Sequence, residues 1–110
     1  MKKMILFIVL VLGISGIAGM ALAEKASSKI SGEAKFKELC VMCHKDGGNI
    51  VNPKKTLHKK DLEANNIKTV ADIVKTMRSP GPGMTKYSEK VISNKEANEV
   101  AEYILNTFNK

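Results

Sequence analysis

The sequence predicts one all-α domain of four to five short helices, folded around a bulky group that the chain does not itself supply. Three observations lead there. Beyond residue 30 apolar residues recur at helical spacing, and no stretch shows the period-two alternation of a half-buried sheet. Two capping sequences, at Thr69 and Ser93, mark helix starts. Large apolar side chains are scarce: Trp is absent, and after residue 23 only Phe36, Tyr87, Tyr103 and Phe108 are aromatic. Domains this small often need a disulfide, a metal or a cofactor to complete their core.

The first segment stands apart from that domain. "MKKMILFIVLVLGISGIAGMALA" combines Lys2 and Lys3, an apolar run from Met4 and an Ala21-Leu22-Ala23 exit. These are the marks of a secretory signal peptide over residues 1–23, cleaved after Ala23, with a mature domain over 24–110. The competing reading is an uncleaved anchor, since residues 4–23 are about long enough to cross a bilayer. Gly13, Ser15, Gly16 and Gly19 make its second half a weak helix.

Each helix then has its own signal. Residues 24–29 are polar and irregular, and a helix begins near Ser31 with Ala34, Phe36, Leu39 and Cys40 along it. "KDGGNIVNPKKT" follows, too rich in Gly, Asn and Pro for a regular element. A short helix over 57–64 ends in Asn65-Asn66. Thr69 to Asp72 form a capping box, with Val70, Ile73, Val74 and Met77 on one face and Pro80 as the stop. Ser93 to Glu96 form a second box, opening a helix whose Ala97, Val100, Ala101, Ile104 and Phe108 make one apolar face.

The whole chain carries a formal charge of +7, which falls to +5 when Lys2 and Lys3 leave with the leader. Lys54, Lys55, Lys59 and Lys60 cluster; they suit a solvated face or docking to an acidic partner. Nucleic acid is excluded as a partner by a single arginine, Arg78, and the lack of Trp.

The chemistry concentrates in "CVMCH", residues 40–44, which holds both cysteines of the chain and one of its two histidines. Four uses begin with Cys-x-x-Cys. A structural zinc site wants four ligands, and adjacent Cys43 and His44 point about 100° apart on a helix. A thioredoxin-like dithiol sits at a helix N-terminus after a strand, whereas this cluster lies at a helix end. A bare disulfide would close a trivial loop. Haem attachment explains more, and the other three stand as lesser alternatives. Cys40 and Cys43, one turn apart, can form thioethers to one edge of a haem while His44 becomes the proximal iron ligand. Alkylated sulfurs also cannot oxidise to a disulfide after export.

The second axial position decides the function. Met42 lies too close to His44 to reach the opposite face, Met77 belongs to an apolar stripe, and His58 lies among lysines in "KKTLHKK". Met84 sits in "SPGPGMTKYS", where helix is blocked by Pro80 and Pro82, forty residues beyond His44. It is the expected distal ligand, and thioether ligation raises a haem reduction potential.

With these residues in place the chain resembles a class I c-type cytochrome, in the small monohaem soluble group similar to the photosynthetic cytochromes of the c-six type. The resemblance covers almost all of residues 30–110. Gly32 and Phe36 precede Cys40 at the family's spacing, and "VAEYIL" at 100–105 resembles its C-terminal helix, with Tyr103 at the aromatic position. The resemblance implies a cytochrome c fold around one covalent haem c, with the two terminal helices crossing closely at Gly32. It also implies that the Pro53 carbonyl accepts the second ring N–H of His44. Thr85 departs from the group, which often has proline after the ligand methionine. The expected function is a periplasmic single-electron carrier between larger redox proteins, not an enzyme, and free of the membrane once its leader is cleaved. The alternatives are a haem-based module that binds or senses a small ligand, or a membrane-tethered subunit of a redox complex.

Overall fold

The computed structural model describes residues 31–110, and every regular element among them is helical. The leader and its cleavage after Ala23 lie outside the described residues. Residues 31–39 form α1. A one-turn helix α2, Val41–His44, and a 3-10 turn, Lys45–Gly47, follow directly. Then come α3 at Lys59–Ala64, α4 at Val70–Arg78 and α5 at Asn94–Thr107.

Both capping boxes form as their sequences predict. Thr69 Oγ1 accepts the Asp72 N–H at 3.2 Å while Asp72 Oδ2 accepts the Thr69 N–H at 3.0 Å. Ser93 Oγ accepts the Glu96 N–H at 3.2 Å, and Glu96 Oε2 accepts the Ser93 N–H at 2.9 Å. Each box satisfies two helix-start donors that would otherwise lack partners. The helix expected over 57–64 starts later, at Lys59, because His58 is extended (φ −73°, ψ 151°). Asp61 Oδ2 draws the preceding chain onto itself, accepting from the Thr56 hydroxyl at 2.5 Å and the Thr56 N–H at 3.3 Å. Asn66, at φ 60°, ends α3 in a left-handed residue, and the Ile67 N–H closes on the Leu62 carbonyl at 2.8 Å.

The core lies where α1 and α4 meet α5. Phe36, Ile73, Met77, Ile92, Ala97, Val100, Ala101 and Ile104 are buried in one cluster. Complete burial of a residue such as Val100 contributes about 1.5–3 kcal/mol. Ala97 and Ala101 keep one face of α5 low, and Gly32 does the same for α1. A Cβ on Gly32 would lie 2.2 Å from the Glu99 carbonyl oxygen and 3.3 Å from Tyr103 Cβ, so only glycine admits this approach. Aromatic rings lock the crossing: Phe36 has its centroid 5.3 Å from Tyr103 and 5.5 Å from Phe108.

Candidate functional site

α1 delivers the Cys-x-x-Cys-His stretch to the edge of this core. The Cys40 N–H still bonds to the Phe36 carbonyl at 2.8 Å, and the His44 N–H closes on the Cys40 carbonyl at 2.9 Å. Cys40 and Cys43 therefore sit one turn apart as free thiols on the same wall. Burial pushes the Cys40 thiol up to about 11, the opposite of the lowered value a redox-active dithiol requires. Among the described residues no three His, Cys, Asp or Glu side chains gather as a metal-binding group, as a zinc site would need.

That wall faces a cavity of about 360 Å³. Cys40, Cys43 and His44 line it on one side. Phe36, Leu62, Ile73, Met77, Ile92 and Ile104 supply apolar lining from α1, α3, α4, α5 and the segment before α5. Met84 lines it from residues 79–93, so the four predicted haem contacts open onto one space. Polar groups reach it as well, among them Lys55, Thr56 and Thr76. Met77 is a core residue, only 4% exposed. Met42 stands 85% exposed, away from the cavity lining. His58 is exposed and lies edge-on to Phe108, with ring centroids 6.3 Å apart.

The second ring nitrogen of His44 has a different partner from the one implied by the family resemblance. His44 Nδ1 bonds to the Gly48 carbonyl at 2.7 Å, not to the Pro53 carbonyl. A carbonyl oxygen can only accept, so Nδ1 is the donor of this bond and Nε2 is the ring nitrogen left for a metal. The cause is local. Asp46 (φ 54°) and Gly47 (φ 77°) are both left-handed and fold the chain back beneath the ring. The Gly48 N–H then fixes the turn on the Lys45 carbonyl at 2.9 Å. Pro53 lies in an exposed turn outside the cavity lining. Gly47 permits its left-handed step, but the step at Asp46 had only a weak signal in its residue type. A Cβ on Gly47 would also approach Phe108 Cδ1 to 2.7 Å.

Comparison with known proteins gives this geometry a family. Residues 28–104 match the family described as cytochrome C oxidase, cbb3-type, subunit III. Cytochrome c6 of Cyanidium caldarium is 35% identical over 72% of this chain and 71% of its own length. Cytochrome c6 of Rippkaea orientalis is 33% identical over 96% of this chain and 93% of its own. This chain belongs to the small class I c-type cytochromes of the c6 type. Solved structures agree with the sequence. OmcF, outer membrane cytochrome F from Geobacter sulfurreducens, is similar at TM-score 0.68 and 42% identity, over 70% of this cytochrome and 98% of that chain. Cytochrome c6 from the diatom Phaeodactylum tricornutum superimposes at TM-score 0.66 with 29% identity, over 71% and 91% of the two chains.

The cytochrome therefore carries one covalently bound haem c and is an electron carrier. Its own residues fit the group: two free thiols one turn apart, an imidazole with an available nitrogen, a thioether and an apolar cavity. Among the described residues no helix is long and apolar enough to cross a membrane.

Proposed function

We propose that this cytochrome is a periplasmic single-electron carrier that holds its haem through Cys40 and Cys43 and its iron between His44 and Met84. The observation that carries the reading is the convergence of these four side chains on one cavity from segments forty residues apart. When bound, haem c supplies the one-electron couple, and the protein sets potential, burial and access. Cys40 and Cys43 tether, and the Nδ1–H bond to Gly48 orients His44 and makes it a stronger donor. A thioether from Met84 favours the reduced state and raises the potential. Two strong protein ligands keep the coordination constant between oxidation states, which suits electron transfer rather than substrate chemistry.

The surface beside the motif supports docking to larger redox proteins. Met42 (85% exposed), Ile50 (71%) and Val51 (56%) form an apolar border. The Ile50 N–H bonds to the Cys43 carbonyl at 3.1 Å, and Val51 Cγ1 lies 2.8 Å from where a Cβ on Gly83 would stand. That border thus joins the attachment motif to the Met84 segment. Exposed Lys45, Lys54 and Lys55 nearby suit acidic partners, steered in at low salt. The leader supports export, with cleavage after Ala23.

Absorption spectroscopy on the purified protein tests the ligation. The oxidised form is expected to show the weak far-red band of iron–thioether ligation, and Met84→Ala to abolish it; an unchanged spectrum in Met84→Ala sinks the assignment. Mass spectrometry of the denatured chain should find the haem retained, and retention in Cys40→Ala/Cys43→Ala would overturn the thioether attachment.

A further inference from the structure

Residues 79–93 connect α4 to α5 without forming a helix, and they carry Met84. Pro80 and Pro82 offer no N–H, so the stretch leading to Met84 has two fewer donors with which to hold itself. Tyr87, three residues past Met84, anchors it through every polar group it has. Its N–H donates to the Met77 carbonyl at 2.9 Å and its hydroxyl to the Leu39 carbonyl at 2.9 Å. Its carbonyl accepts from Arg78 Nη1 at 3.1 Å. The same guanidinium donates through Nη2 to Asn94 Oδ1 at 2.9 Å, on the first residue of α5. Arg78 is also the last residue of α4. One planar fork thus joins the end of α4, the segment just beyond Met84 and the start of α5.

We propose that Arg78 is a positioning residue that keeps Met84 on the iron: it clamps the ring that the Tyr87 N–H closes on the Met77 carbonyl, and ties that ring to α5. The inference rests on Met84 being the second axial ligand. Opening the ring, which lets Met84 swing away, breaks the Arg78–Tyr87 bond. A lysine ammonium is a point charge on a flexible stem, whereas the guanidinium fixes two acceptors at a set angle. This accounts for the one arginine in a chain whose other basic side chains, histidine aside, are all lysine.

Imidazole is the probe, because it competes for the same iron position and its apparent affinity scales with the fraction of molecules whose Met84 is off. Arg78→Leu is expected to bind imidazole at least about tenfold more tightly than the wild type, since it loses both charged hydrogen bonds and one alone is worth about that factor. Far-ultraviolet circular dichroism should stay unchanged, and the Tyr87 amide should exchange hydrogen faster. Asn94→Ala removes only the second arm and should give a smaller gain; it also serves if Arg78→Leu does not fold. Val100→Ala weakens the core outside the cavity lining and should leave imidazole affinity at the wild-type value. Wild-type affinity in both Arg78→Leu and Asn94→Ala, or an equal gain in Val100→Ala, overturns the positioning role alone. Equal imidazole affinity in the wild type and Met84→Ala overturns the ligand reading as well, so the two failures are distinct.

Discussion

Gly32 shows how one missing methyl sets the relation of two helices. Alanine is the better helix former by about 1 kcal/mol, so Gly32→Ala would stabilise an isolated α1. Here the added Cβ meets the Glu99 carbonyl oxygen at 2.2 Å, and a backbone atom inside α5 cannot step aside as a side-chain tip could. Crowding of this kind costs about 1–3 kcal/mol and should exceed the propensity gain. Urea unfolding of Gly32→Ala should give a lower midpoint at unchanged slope; a higher midpoint would mean that α1 and α5 do not approach this closely. His44 makes a related point. Its choice of Gly48 over Pro53 turned on the sign of φ at Asp46 and Gly47, and the residue types near the motif allowed either acceptor.

At the scale of the element, the two capping boxes make helix stability depend on pH. The Lys68 N–H, then the Thr69 hydroxyl and N–H, hold the Asp72 carboxyl below its ordinary range. The Ser93 N–H does the same for Glu96, with the Lys35 ammonium assisting. The Thr56 hydroxyl lowers Asp61 at the start of α3. All three values are lower in the folded chain than in the unfolded one. Their contribution is therefore complete above the unfolded values, about 4, and disappears as pH falls through the folded ones. Stability should be level near neutrality and decline below about pH 5. Glu96→Gln and Asp72→Asn should each reduce the slope of that decline, measured as urea midpoint against pH; an unaltered slope in both would remove the boxes as its source. Ser93→Ala, tested near neutrality, should cost about 1 kcal/mol.

The whole molecule is built around its cavity. The eighty described residues bury one modest cluster, and Phe36, Ile73, Met77, Ile92 and Ile104 each belong both to that cluster and to the lining. Five of the eight cluster residues therefore gain further packing partners when the haem is present. Binding to the folded state alone stabilises it by mass action, and a covalent group cannot leave. Cys40→Ala/Cys43→Ala prepared without haem should accordingly lose its cooperative thermal transition and its near-ultraviolet circular dichroism. A sharp transition close to that of the holoprotein would show that the polypeptide completes its own core.

Much of this was legible in the residues because it is local. Helix starts at Thr69 and Ser93 depend on three-residue spacings, the haem motif on five contiguous residues, and Met84 on a Pro/Gly-rich segment that excludes helix. The sequence by itself thus determined the capped helix starts, the Cys-x-x-Cys-His pattern and the family. Only the tertiary structure decided which backbone oxygen meets His44, which carbonyl lies against Gly32, and that Arg78 spans Tyr87 and Asn94. Those contacts depend on the sign of a backbone torsion or on the placement of separate segments, and no spacing along the chain encodes either.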